Sequence, residues 1–372
     1  MRHIIILFIC LSFLSCEKER AVREHFYELR ERVKVSDIVK DYSIVKLETT
    51  EDNLIVDPTV VKFSKDRIFI LDMFSPSKSL YVFELTGKYV GKVGNKGDGP
   101  GEYIMPFHFL LDETANRIYL QDVATNSMLV YALDTFEFIE KYAIPFYANC
   151  FELLDEEHFV WYIGAGMRNE GEFQKHIQIT DKRCIPQKSM IERMDFPTRG
   201  MYNVASYFVR MDDSVIFHHP FMGDYYNISL VDDILQKAFS LRFENLSFPD
   251  AEFLMEHKDN IVEDLEKGSY IQWCDVTDVL STHLCYFGCG QDTYIGKYDE
   301  KTGKGWYVNR DNLIDDLGIG VLARPKLGYS ATFVSFISLE SAGQNITADN
   351  SILKDVVSED DLGGNPILLF YK

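Results

Sequence analysis

Few residues in this chain combine a reactive type with a telling spacing, and those that do are carboxylates, histidines and arginines beside turns. Asp72 and Asp122 close two matching apolar runs, Arg67-Ile-Phe-Ile-Leu-Asp72 and Arg117-Ile-Tyr-Leu-Gln-Asp122. An Asp after a strand bonds amides a few residues on and fixes the turn; the same carboxylates could also face a cation. Gly97-Asp98-Gly99-Pro100-Gly101-Glu102 is rich in glycine but is no phosphate loop, which needs a helix N-terminus after the glycines. Here Pro100 interrupts and a strand follows. The run reads as a tight turn with glycine at positive φ and Glu102 bonding exposed amides. Asp98 and Glu102 are carried with it as candidate ligand-binding groups. His218-His219 ends an apolar strand. Paired histidines can ligate a metal or act as a general base, although adjacent strand residues point to opposite faces. Arg168, Arg199 and Arg324 lie in or near long loops, where a guanidinium could clamp a carboxylate or phosphate. Trp161 and Trp273 are either packing aromatics or stacking platforms. There is no nucleophile elbow, no His-Glu-x-x-His and no kinase signature, so no catalytic residue, metal ligand set or cofactor is assigned.

These residues hang on a degraded internal repeat. Leu80-Tyr-Val-Phe-Glu-Leu-Thr-Gly-Lys-Tyr-Val recurs as Leu129-Val-Tyr-Ala-Leu-Asp-Thr-Phe-Glu-Phe-Ile. With the strands before each apolar run (Thr59–Ser64, Phe107–Leu111), one unit holds four strands. Weaker copies pair 159–163 with 176–180, 214–218 with 225–230, 283–287 with 293–298, and 332–337 with 366–371. Six units of four short strands at this period predict propeller blades, because one blade cannot bury its own faces. The sixth unit ends at Lys372 without an outer strand, while Tyr42-Ser-Ile-Val-Lys-Leu-Glu48 is a strand without a unit. The expectation is that this segment completes the sixth blade and closes the ring, leaving only short edges. Residues 250–267 place Leu254, Ile261 and Leu265 on one helical face, with Ser247-x-x-Asp250 as a capping box. This predicts a helical insertion between blades four and five.

Strand order sorts the loops. In an antiparallel four-stranded unit, the loop between strands two and three and the link to the next unit open at the same end. The long insertions 94–106, 164–173, 195–202, 245–268 and 339–365 all fall in these two classes. One face is therefore heavily decorated, and loops on a rigid scaffold are where binding concentrates.

The first residues belong to export. Met1-Arg2-His3 is a short basic start and 4–14 an apolar core too short to span a bilayer. The segment ends Phe13-Leu14-Ser15-Cys16, which resembles a bacterial lipobox with Cys16 lipidated, apart from Phe13 at the outer position. Residues 1–16 are thus read as the lipoprotein signal with its cysteine, 17–41 as a charged tether, and 42–372 as the propeller. Acyl chains on Cys16 would hold the protein on a membrane. Glu17-Lys18-Glu19 resembles a surface-export signal.

Composition bounds the partners. The net charge of −20 over 372 residues would repel a phosphate backbone and argues against nucleic acid. The 27 Phe and 21 Tyr favour pleated, half-buried surfaces. Beyond the leader, Cys150, Cys184, Cys274, Cys285 and Cys289 are odd in number and irregular in spacing, which is no disulfide framework. Cys285-x-x-x-Cys289 with Cys274 and His283 nearby lacks a second close pair for zinc, so buried structural thiols are expected.

The segment Gly87-Lys-Tyr-Val-Gly-Lys-Val-Gly94-Asn-Lys-Gly97-Asp-Gly99-Pro100-Gly101-Glu102, with Val45-x-Leu-Glu-Thr upstream, resembles the hallmark of six-bladed β-propeller lipoproteins of Bacteroidetes-type bacteria, distant relatives of NHL-repeat propellers. The close match spans residues 42 to about 135. The resemblance implies an all-β fold and an outer-membrane location, periplasmic or surface-exposed, but no common activity. The function expected is a non-catalytic binding or scaffold module, monomeric, for a peptide, glycan or protein partner. The alternative is an NHL-like lyase or hydrolase with a metal or His site on the decorated face.

Overall fold

The computed structural model describes residues 23–372 apart from 165–168, 170, 192–206, 212–213, 220–221, 233–234, 258–259, 321, 326, 340–350, 359–360 and 362. The described chain is all-β, dominated by short strands with few helices. It opens with β1 (Arg23–Leu29), β2 (Val33–Lys34), the single turn α1 (Val35–Ile38) and β3 (Ser43–Lys46). Antiparallel groups of four follow. The first is β4 (Val60–Ser64), β5 (Arg67–Asp72), β6 (Ser79–Glu84) and β7 (Tyr89–Val93). The small parallel pair β8 (Asn95–Lys96) and β9 (Glu102–Tyr103) leads to β10 (Pro106–Asp112), β11 (Arg117–Asp122), β12 (Ser127–Ala132) and β13 (Phe138–Ala143). The third group is β14 (Cys150–Leu153), β15 (His158–Tyr162), β16 (Ile177–Asp181) and β17 (Pro186–Met190). The fourth is β18 (Phe208–Met211), β19 (Ser214–His218), β20 (Asp224–Asn227) and β21 (Gln236–Phe243). After α2 (Ala251–Glu256) and α3 (Ile261–Lys267) comes the fifth, β22 (Ile271–Val279), β23 (Thr282–Cys289), β24 (Asp292–Asp299) and β25 (Lys304–Asn309). Then β26 (Leu313–Ile314) pairs with β2, and β27 (Leu327–Tyr329), β28 (Thr332–Ile337) and β29 (Ile367–Tyr371) complete the chain.

The last group takes its fourth strand from the other end of the chain. β3 pairs antiparallel with β29, Ile367 opposite Lys46 and Phe370 opposite Ser43. The strand expected from Tyr42–Glu48 is therefore found where it was expected.

Period-2 burial explains how the groups pack. In β5, Phe69 and Leu71 join the core shared with the second group, around Phe109, Leu120 and Leu129. Their neighbours Ile68 and Ile70 face the other way, into a core shared with Val334, Phe336 and Leu368 of the last group. Second strands are apolar on both faces because both faces are covered. The same alternation places Tyr119 and Trp161 between groups two and three, and Val160, Ile179 and Phe217 between three and four. Phe239, Leu241 and Phe287 lie between four and five, and Leu284, Ile295, Phe333 and Leu369 between five and six. Outer strands alternate instead: β13 runs half-buried, exposed, half-buried throughout.

Two expectations change. The stretch 17–41 is not a plain tether, since from Arg23 it is structured. β1 lies parallel to both outer strands β21 and β25 and ties groups four and five into one nine-stranded sheet. Only His25 and Tyr27 of β1 are buried, on one face, while the rest are exposed. It covers two edges that would otherwise offer unpaired backbone groups. The helical insertion is present but is two short helices rather than one. Asp250 is the N-cap itself, its carboxylate accepting from the Phe253 amide at 2.8 Å, and Ser247 instead bridges to Tyr270. Leu254, Ile261 and Leu265 do share one apolar cluster. The five cysteines among the described residues are free and buried.

Candidate functional site

Two features could bind: the ends of the groups that carry the insertions, and a cavity between the first strands. The cavity measures about 340 Å³ and is lined by β4, β10, β14, β18, β22 and β27, each the first strand of its group. These strands pack side by side, β10 against β4 and β14, β22 against β18 and β27, and β27 against β4. Charged and polar side chains line the cavity, at least one from each strand, among them Lys62, His108, Glu152, Arg210, Asp278 and Tyr329. Lys62 Nζ and Glu152 Oε2 form an ion pair at 3.0 Å between the first and third groups. Arg210 donates to the Leu153 carbonyl. His108 packs edge-on against Phe151, and burial, reinforced by the Lys62 charge, lowers its pKa to about 3. A volume of this size with mixed lining suits a small polar group or a side chain of a partner.

The insertions sit at one set of strand ends. The connections 94–106 and 245–268 each run from a fourth strand to the next first strand. The links holding 164–173 and 339–365, each only partly described, join second to third strands, and 195–202, in the link from β17 to β18, lies outside the described residues. At the opposite ends most described turns are short, as at Lys65–Asp66, Glu113–Asn116 and Leu280–Ser281, although 228–235 between β20 and β21 is longer.

Asp72 and Asp122 stand at the insertion-bearing ends, fully buried. Asp72 accepts from the amides of Val56 (2.6 Å), Asp57 (3.4 Å), Phe74 (3.2 Å) and Ser75 (3.0 Å). Asp122 accepts from Ile104 (3.1 Å), Met105 (3.0 Å), Ala124 (3.1 Å) and the Thr125 hydroxyl (2.9 Å). Each carboxylate thus ties an inter-group link to a second-to-third loop. These loops present exposed Val56, Phe74 and Ile104, and the next link presents exposed Tyr147. Sequence reading missed these four, whose offsets from the repeated Asp share no common spacing.

The other candidates divide. Glu102 Oε2 accepts from the Gly99 amide at 2.8 Å, and a Cβ at Gly97 would lie 2.1 Å from that oxygen. Gly101 has φ +74°, and a Cβ there would meet Phe138 at 2.7 Å. The run is a turn, and Asp98 is exposed on it. His218 and His219 are buried. His218 stacks on Tyr225 at 4.7 Å, and His219 lies 5.4 Å from the His176 ring. Burial, then the neighbouring His176 and His218, hold His219 well below the usual histidine range. Arg324 pairs with buried Asp275. Arg168 and Arg199, like Cys16, lie outside the described residues. Trp161 is buried, donating to Thr180 Oγ1 and stacked on Phe151. Among the described residues, the structure does not bring the predicted candidates together into one site.

Comparison with known proteins agrees with the fold. A crystal structure from Bacteroides fragilis, described as a "Putative exported protein", is similar at TM-score 0.80 and 22% identity, covering 94% of this chain and 99% of that one. A member of the DUF4221 family from Bacteroides vulgatus is similar at TM-score 0.52 and 8% identity, covering 90% of this chain and 96% of that one. No curated protein matches the sequence. No helix among the described residues is long and apolar enough to cross a membrane. The pattern of one family, a domain of unknown function named DUF4934, matches residues 21–372, and the chain belongs to that family.

Proposed function

We propose that this protein is a six-bladed, NHL-like β-propeller lipoprotein, held at the outer membrane through Cys16, that acts as a non-catalytic binding or scaffold module. Two observations support the propeller: cores shared between successive groups, with the last against the first, and one cavity lined by all the first strands. The binding reading is carried by one observation, that the long insertions share one set of strand ends. A rigid scaffold with variable loops gathered at one end is built to present a surface. Buried Asp122 ties down the end of the 94–106 insertion, and buried Asp72 the neighbouring link at 56–57 and the loop at 74–75. The partner is a peptide, glycan or protein, and Val56, Phe74, Ile104 and Tyr147 are the apolar contacts it would meet.

Topology also orients the anchor. β1 runs parallel to β21, so it enters from the tight-turn side and travels towards the insertions. At about 3.5 Å per residue, the stretch from Cys16 to Arg23 reaches at most about 25 Å. The tight-turn side would then face the membrane, and the insertions would point away from it.

A thermal-shift screen of the full chain against short peptides and glycans tests the reading. A ligand binding only the folded state at a hundredfold excess over Kd adds about 2.7 kcal/mol. The shift should vanish in Phe74→Ala and Tyr147→Ala and persist in Leu280→Ala. A ligand whose shift is lost only in the Leu280 variant would place binding on the other face and overturn the proposal.

A further inference from the structure

His25, on the N-terminal strand, and His283, on β23, meet although they are far apart in sequence. Their rings stack at 5.0 Å, and His25 is held between Phe239 at 4.7 Å and Tyr298 at 4.2 Å. Glu300, in the turn after β24, closes the group. Its Oε1 lies 3.1 Å from His25 Nε2 and 2.8 Å from His283 Nε2. Donor atoms of all three lie within 4.8 Å of one another. Both histidines are 1% exposed, and neither ring nitrogen of His25 has a well-aligned hydrogen-bond partner. A polar side chain left so in a protein interior calls for an explanation.

We propose that His25, His283 and Glu300 form a binding site for one zinc-like divalent cation, which clamps the N-terminal strand to the fifth group. Two imidazoles and a carboxylate are a known zinc ligand set, with water in the fourth position. Zinc–ligand bonds of about 2.0–2.2 Å separate ligand atoms in a tetrahedron by roughly 3.3 Å, close to the two histidine–glutamate separations of 3.1 and 2.8 Å. The imidazoles favour zinc over calcium or magnesium, which prefer oxygen. Asp278 Oδ1 lies 2.9 Å from His283 Nδ1, without the alignment of a hydrogen bond; a small ring rotation would make it the carboxylate–histidine pairing that turns the other ring nitrogen towards a metal. Arg23, 3.7 Å from Glu300 Oε2 and 75% exposed, balances the carboxylate charge and can swing into solvent when a cation enters. The site lies towards the tight-turn ends, apart from the proposed binding face, and does not depend on that reading.

The test is calorimetric titration of zinc chloride into chelator-stripped full-length protein in detergent, with amide hydrogen exchange on β1. The expected result is one zinc per chain and slower exchange over residues 24–27. Glu300→Gln keeps the side-chain shape and should weaken zinc by about tenfold or more, the scale on which the loss of a group that holds or orients a metal ligand acts. His25→Gln should abolish binding; if it unfolds, the Glu300 variant alone decides. Absence of stoichiometric zinc, equal affinity for calcium, undiminished affinity in Glu300→Gln, or zinc binding that leaves β1 exchange unchanged would each overturn the proposal.

Discussion

Asp72 and Asp122 are the same residue in consecutive four-stranded groups: each is fully buried, and each carboxylate accepts four hydrogen bonds that join an inter-group link to a second-to-third loop. The acceptors are filled by amides and one hydroxyl, so the pair reads as loop anchors rather than cation ligands. Asp72→Ala would strand the Val56 and Phe74 amides at the insertion-bearing end. Hydrogen bonds to a charged group contribute about 1.5–3 kcal/mol, so we expect urea unfolding to show a loss of about 3 kcal/mol. Added calcium should leave wild-type stability unchanged. A rise in melting temperature with calcium that disappears in Asp72→Ala would mean the carboxylate is a cation ligand.

Half-buried His108 and buried His219 set the acid response. The folded pKa of His108 is lowered to about 3 from 6.5 by burial and Lys62. The unfolded chain therefore binds a proton that the folded one refuses. Stability from this group is fully present above pH 6.5 and is lost as pH falls towards 3. The slope is about 1.4 kcal/mol per pH unit for one proton. His219, also held low by burial, acts in the same direction. Unfolding free energies between pH 6.5 and 4.5 should fall, and His108→Gln should flatten the slope by about one proton. An unchanged slope in that variant would show that His108 is solvated.

The N-terminal strand is part of the fold rather than a tether. Tyr27 is fully buried and stacks on Phe243 at 4.8 Å. Tyr27→Ala should cost about 3–5 kcal/mol, as for other buried rings. A chain starting at residue 30 should lose more and aggregate through the exposed edges of β21 and β25. Equal stability of the full and shortened chains in urea would return residues 23–29 to the role of a linker.

How far the sequence could be read depended on where each signal lay. The matching runs ending in Asp72 and Asp122 were legible because equivalent residues share one register. β3 was legible because a strand without a unit and a unit without a strand imply each other. β1 was not, because Arg23-Glu-His-Phe-Tyr-Glu-Leu29 buries only His25 and Tyr27, and a parallel strand between two groups leaves little apolar pattern. The His25–His283–Glu300 cluster was illegible because β1 itself was. The exposed loop residues were missed because one exposed apolar side chain means little until strand order shows which end carries it. The split between α2 and α3 leaves Leu254, Ile261 and Leu265 in one cluster, so periodicity could not reveal it.

The most direct test of the binding face is photo-crosslinking in cells that produce the full chain. A photoreactive residue is placed singly at Phe74, Tyr147, Ile185 or Leu280, all exposed. The first two stand at the insertion-bearing ends and the last two on tight turns. The account predicts discrete adducts from positions 74 and 147 and none from 185 and 280. Adducts only from 185 and 280, or none from any position, would contradict it.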